Sequence, residues 1–179
     1  MPEVLGPEKL ANDGKAAYAR EDFTNAISLF QAAAKGYATV GDKLQEAEML
    51  NNSGVAYLRV GNGKAALQAI EGTPEIFATA GDIRRQGFSL GNLGDALESV
   101  GRKQEAAQAY QQSADLLEQC GEDEMRAHVL QSLSKVQLRT GRQLEALATM
   151  EAGIEGFKEP SLKQRFLKKL LRIPFKLIK

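Results

Sequence analysis

The chain has no tryptophan, one cysteine and one histidine, and aromatic residues make up only 6% of its 179 positions. Each shortage excludes something. With Cys120 alone there is no intramolecular disulfide and no cysteine-built zinc site, and with His128 alone there is no histidine-rich metal centre. A sheet would ask for more Val, Ile, Thr and aromatic side chains, whereas abundant alanine suits closely packed helices, so the fold class reads as all-α. No run approaches the roughly 18 apolar residues of a membrane span, and the opening Met-Pro-Glu-Val-Leu-Gly is neither a basic leader nor an apolar one. The sequence therefore reads as cytoplasmic. Net charge is absent too, but unevenly. Residues 1–160 carry −7 and residues 161–179 carry +7, the latter from Lys163, Arg165, Lys168, Lys169, Arg172, Lys176 and Lys179 without one acidic residue.

What is present is a 40-residue interval. Gly41-Asp42, Gly81-Asp82 and Gly121-Glu122 obey it, as do Gly61, Gly101 and Gly141. So does the apolar register, in the sets Leu10, Leu50, Leu90, Leu130, then Ala26, Ala66, Ala106, Ala146, then Phe30, Ile70, Tyr110, Met150. An interval kept by turn and core residues alike marks an internal repeat. Helical spacing within each unit, a glycine or short polar turn at its middle, and Pro7 and Asp22 at helix starts predict helical hairpins. A lead-in over 1–6 precedes four of them, over about 7–42, 43–82, 83–122 and 123–157, and a basic amphipathic helix and tail follow over 158–179. Gly14, Gly54, Gly94 and Ser134 are small so that paired helices approach closely. Glu71-Gly72-Thr73-Pro74-Glu75 breaks the pattern, because proline inside a helix costs about 3 kcal/mol. A kink or restart is expected there, either tolerated on the convex surface or a bend that reshapes a binding face, with Thr73 capping a new segment and Pro74 in its first turn.

Leu50, Gly54, Tyr57, Gly61, Ala66, Ile70 and Thr73, repeated as Leu90, Gly94, Leu97, Gly101, Ala106, Tyr110 and Ser113 and as Leu130, Ser134, Gln137, Gly141, Ala146, Met150 and Gly153, resemble the tetratricopeptide repeat family. The first unit matches less well at its turn, where Glu21 stands. The repeat exceeds the family's usual length of about 34 residues by about six, which is similar to the long-helix branch that includes kinesin light chains and spindle-orientation scaffolds. The resemblance implies a right-handed α-solenoid of four helix-turn-helix hairpins plus a C-terminal helix. It also implies a non-catalytic, cofactor-free adaptor that binds an extended or helical segment of another protein.

In such repeats the first helix of each hairpin lines the concave groove. That places Asn12, Asn52 and Asn92 in one register, with Ser132 in the fourth, and a side-chain amide both donates to and accepts from a peptide backbone. Lys15, Val55, Leu58, Arg59, Phe88, Asp95, His128, Gln131, Lys135 and Leu138 are expected to share the surface, together with Tyr18, Glu48, Glu98 and Arg139. Its mixed charge argues against nucleic acid. Enzymatic chemistry finds no footing: His128 has no triad companions, Cys120 closes a helix rather than opening one, and the glycine turns do not form a phosphate loop.

In the tail, Leu162, Phe166, Leu170 and Ile173 share one helical face opposite most of the basic residues. This face caps the fourth hairpin, or, with Lys163, Arg165, Phe166, Lys168, Lys169, Arg172, Phe175 and Lys176, lies on an anionic membrane as a peripheral anchor or docks on an acidic partner, and a cap through Ile173 with a tether after it satisfies both. Self-association through an uncovered solenoid end is a further candidate.

Overall fold

The structure, a computed structural model, describes residues 6–155. The basic segment 158–179, with its predicted helix, lies outside the described residues. Among those described there are nine α-helices and no strand: α1 Pro7–Ala19, α2 Phe23–Val40, α3 Lys43–Arg59, α4 Gly63–Ile70, α5 Thr73–Thr79, α6 Ile83–Ser99, α7 Lys103–Gln119, α8 Asp123–Arg139 and α9 Gln143–Glu155. They pair as four hairpins, with α4 and α5 together forming the second arm of hairpin two, and successive hairpins stack as a solenoid through α2 on α3 and α7 on α8.

The helix starts follow from local chemistry. Asp22, Asp42, Asn62 and Asp82 each accept a hydrogen bond from the backbone N–H three residues on, filling a donor that the first helical turn leaves unpaired. At Asp82 this backbone bond, helped by the Arg85 guanidinium 2.6 Å away, holds the carboxyl below its usual pKa. The turns need a left-handed residue, and Gly41, Gly61, Gly81, Gly101, Gly121 and Gly141 supply it at φ between 69° and 82°. Glu21 occupies the corresponding place in hairpin one at φ 61°, a conformation that costs a residue with a Cβ roughly 1–2 kcal/mol.

The core is built by pairing nothing against something large. A Cβ added to Gly14 would lie 2.8 Å from the Phe30 ring, one added to Gly94 would lie 2.5 Å from the Tyr110 ring, and one added to Gly54 would collide with Ile70 Cγ1. Each glycine on the first helix therefore makes room for the large residue of the facing helix. Phe30, Ile70 and Tyr110 are all buried, and burial of such a side chain stabilises by roughly 1.5–3 kcal/mol. Ala26, Ala66, Ala106 and Ala146, with no exposure at all, let the same helices approach one turn earlier.

Hairpin two breaks where the sequence predicts and restarts with Pro74 in the first turn of α5 as expected, but with a different cap. Thr73 does not cap the new helix: Gly72 holds that position and Thr73 is the first residue of α5. Within the break Thr73 is 1% exposed and Pro74 is buried, while Glu71, Gly72 and Glu75 are exposed. Pro74 lacks the N–H that the Ile70 carbonyl would accept from residue 74, and the Thr73 hydroxyl donates to that carbonyl instead, at 2.9 Å. Thr73 Oγ1 in turn lies 2.5 Å from the buried Ser89 hydroxyl of α6. With the Thr73 proton spent on Ile70, Ser89 is the donor of this second bond.

Candidate peptide-binding groove

The first helices α1, α3, α6 and α8 carry the predicted ladder, and two open hollows lie along them. The larger, of about 310 Å³, is lined by Lys15, Tyr18, Phe30, Glu48, Asn52 and Val55. The smaller, of about 120 Å³, is lined by Phe88, Gly91, Asn92, Asp95, Tyr110, Leu117, Met125, His128, Val129 and Ser132. Ten of the predicted groove residues thus gather around these hollows: Lys15, Tyr18, Glu48, Asn52 and Val55 at one, and Phe88, Asn92, Asp95, His128 and Ser132 at the other.

The remaining predicted residues are placed differently. Asn12 and Gln131 are exposed on α1 and α8. Leu58 is half-buried against the cluster of Ala66, Ile70 and Ala96, so part of its apolar surface serves the core. Arg59 stacks its guanidinium 4.4 Å from the centre of the Phe23 ring and donates to the Tyr18 hydroxyl at 3.4 Å, tying hairpin two to hairpin one. Leu138 is 43% exposed, and Lys135 is exposed beside it.

The two hollows differ in electrostatics. At the larger, the Glu48 carboxylate is bracketed by Lys15 Nζ at 3.4 Å and Arg85 Nη1 at 3.3 Å, and Arg85 also meets Asp82. Charge there runs as one neutralised line from α1 through α3 to α6. At the smaller, Asp95 Oδ1 accepts the Tyr110 hydroxyl at 2.6 Å, and Glu98 lies 3.2 Å from the same hydroxyl while also pairing with Arg139 of α8. Crowding by protein pushes the Asp95 pKa up; the Tyr110 bond opposes the rise, Glu98 adds to it and Lys135 acts against it from a distance. Burial, followed by the charge of Asp95, pushes the Tyr110 hydroxyl far above the ordinary phenol range, so it remains a donor.

The ladder is not uniform either. Asn92 Nδ2 donates to Asn51 Oδ1 at 3.2 Å across hairpins two and three, which leaves the Asn92 carbonyl oxygen aimed elsewhere. Sequence reasoning did not foresee Tyr110 and Met125 at this face. Tyr110 had one signal: a phenol in a register otherwise held by Phe30, Ile70 and Met150 must find a partner for its hydroxyl. Among the described residues no three His, Cys, Asp or Glu side chains gather as a metal site would need. No described helix is long and apolar enough to cross a membrane.

The profile of the soluble NSF attachment protein family, SNAP, matches residues 11–171. No curated protein matches the chain in sequence. Among solved structures, a Podosopora anserina kinesin-light-chain candidate with nearly identical TPR-like repeats superimposes with a TM-score of 0.76 at 15% identity, over 94% of this chain and 87% of that one. A point variant of the same Podosopora anserina protein gives 0.73 at 16% identity, over 86% and 76%. The MamA protein gives 0.50 at 16% identity, over 84% of this chain and 91% of that one. At such identities the likeness is one of fold: a TPR-like helical solenoid.

Proposed function

The chain belongs to the soluble NSF attachment protein family, and from that premise we propose that it is a non-catalytic adaptor holding an extended or helical segment of another protein in its groove. The observation that carries the proposal is the gathering of Lys15, Asn52, Val55, Phe88, Asn92 and Asp95 around two hollows on the first helices. A surface of amides, short apolar side chains and paired charges suits backbone recognition, in which the segment's own N–H and C=O groups supply most of the bonds.

The test is peptide selection by display on the full chain, followed by affinity measurement with wild type and with Asn52→Ala/Asn92→Ala of equal helicity by circular dichroism. Loss of one or two backbone-directed bonds is expected to weaken binding about tenfold, at about 1 kcal/mol or more per bond. Unchanged affinity in the double variant would remove the ladder from the site.

A second reading rests on the charge of the sequence: residues 161–179 carry +7 with an apolar face, a composition that favours peripheral attachment to anionic membranes at about 1 kcal/mol per basic residue near the surface. Cosedimentation with phosphatidylserine vesicles, with and without glutamine at Lys163, Lys168, Lys169 and Lys176, separates it from the groove reading.

A further inference from the structure

The smaller hollow holds a carboxylate that no described residue pairs with as an ion. Glu48 at the larger hollow has two cations in contact, and Glu98, one turn on from Asp95 along α6, has Arg139. Among the described residues Asp95 is engaged by the Tyr110 hydroxyl and by no ion pair. Lys135 stands at the register of Lys15 but acts on Asp95 only through its field. The carboxylate is held rigidly all the same. Tyr110 is 1% exposed, and its ring fits only because Gly94 has no Cβ. The hydroxyl that fixes Asp95 is therefore fixed by the core beneath it.

The walls suit a side chain that is apolar along its length and cationic at its tip. Phe88, Met125 and Val129 give an apolar side, with the Phe88 ring already attractive to a cation, since the Arg84 guanidinium lies 4.8 Å from its centre. Asn92, its amide nitrogen turned to Asn51, presents its oxygen as a further acceptor. A lysine or arginine side chain has an apolar stem and a cationic tip, and long basic side chains lay such stems along apolar surface. We infer that the hollow over Asp95 is a pocket for a lysine or arginine side chain of the bound segment, with the stem along Phe88, Met125 and Val129 and the cation on Asp95 and Asn92. This deepens the groove reading and rests on it for the identity of the guest as part of a protein segment.

The test uses the full chain, labelled with nitrogen-15, titrated with the N-acetyl, N-methylamide derivatives of lysine, arginine and norleucine. The two cationic derivatives are expected to shift the amide signals of Phe88, Asn92, Asp95 and Val129 saturably, and norleucine to bind about five- to tenfold more weakly. Asp95→Asn keeps an oxygen for the Tyr110 hydroxyl, and so keeps the fold, but is expected to abolish the preference for the cation. Equal shifts from all three derivatives, or no shifts at these positions, would overturn the inference. Peptides selected on the chain separate the two proposals. If they lose affinity in Asn52→Ala/Asn92→Ala but show no enrichment of Lys or Arg and no response to Asp95→Asn, the groove stands and the pocket assignment falls. If no peptide is selected, the groove reading falls and the amino-acid titration alone decides the pocket. If glutamine at Lys163, Lys168, Lys169 and Lys176 shifts the same amides with no ligand added, the guest is the chain's own basic segment and the assignment to a partner is overturned.

Discussion

Hairpin two places Ile70 over Gly54, and hairpin three, at the same register, places Tyr110 over Gly94. Ile70 is satisfied by contact alone and leaves Val55 as the neighbouring groove residue, whereas Tyr110 brings a hydroxyl that must be bonded and finds Asp95 at the position of Val55. Hairpin two interrupts its second helix and seals the break with buried hydroxyls, while hairpin three runs unbroken through α7. The difference teaches that one repeat fixes the backbone and the sites of close approach, and that a paired change, in the core register and in the groove position above it, then decides the groove's chemistry.

The sharpest way to break this comparison is to give both glycines a methyl group. In Gly94→Ala the new Cβ would meet Tyr110 Cδ1 and Cε1 at 2.5 Å and Cγ at 3.0 Å, a flat ring anchored at its far end by Asp95. In Gly54→Ala it would meet Ile70 Cγ1 and Cδ1, a side chain with torsions of its own to yield by. Overpacking is expected to destabilise Gly94→Ala by about 2–3 kcal/mol and Gly54→Ala by about 1–2 kcal/mol, after the small gain in helix propensity. Urea unfolding of the two variants checks the order, and a reversed order would mean that the tyrosine ring is the more mobile partner.

The next largest effect lies at the helix break. Thr73→Val keeps the shape but removes the donor that the Ile70 carbonyl accepts and the acceptor of the Ser89 hydroxyl, both buried, and is expected to cost about 2 kcal/mol. Adding Ser89→Ala removes the stranded hydroxyl as well, so the double variant is expected to be less destabilised than the sum of the two single ones. In hairpin three Ser113 stands at the register of Thr73 and donates to the Gly87 carbonyl at 2.6 Å. Ser113→Ala is expected to cost only about 1 kcal/mol, because no proline has emptied a backbone position there. Equal costs at the two sites, measured by thermal unfolding, would mean that the break needs no seal.

Much of this fold is legible in the chain because the repeat states each rule several times over. The turn glycines recur every 40 residues and supply the left-handed turns, while the small residues Gly14, Gly54 and Gly94 and the alanines of the facing helix recur with them as close-approach sites. The groove is legible only where side chains act one at a time. Lys15, Asn52, Val55, Phe88, Asn92, Asp95 and His128 come to the hollows as the register implies. The bonds that set their chemistry, Tyr110 to Asp95, Glu48 to Arg85 and Asn92 to Asn51, join residues 15, 37 and 41 apart, and no periodicity specifies such pairs. The role of Thr73 was hidden for a related reason. A threonine before a proline reads as a cap, and only the burial of the segment makes its hydroxyl a substitute for a missing N–H.

The smallest effect expected concerns whether the break itself is demanded by the fold. Gly72 holds the place that Gln112 fills in the unbroken α7, and its own backbone is already near-helical at φ −95° and ψ −8°, with nothing within 4 Å of where a Cβ would stand. A glycine that uses neither a positive φ nor a close approach contributes only freedom to the unfolded chain. Gly72→Ala is therefore expected to stabilise the protein by about 0.4–1 kcal/mol, read as a raised midpoint in urea with an unchanged slope. A stabilised variant would locate the cause of the break in Pro74 alone, whose missing N–H the alanine does not restore. A destabilised one would mean that α4 and α5 need the glycine's conformational range to meet α6, and hairpin two would then differ from hairpin three by a joint as well as by a proline.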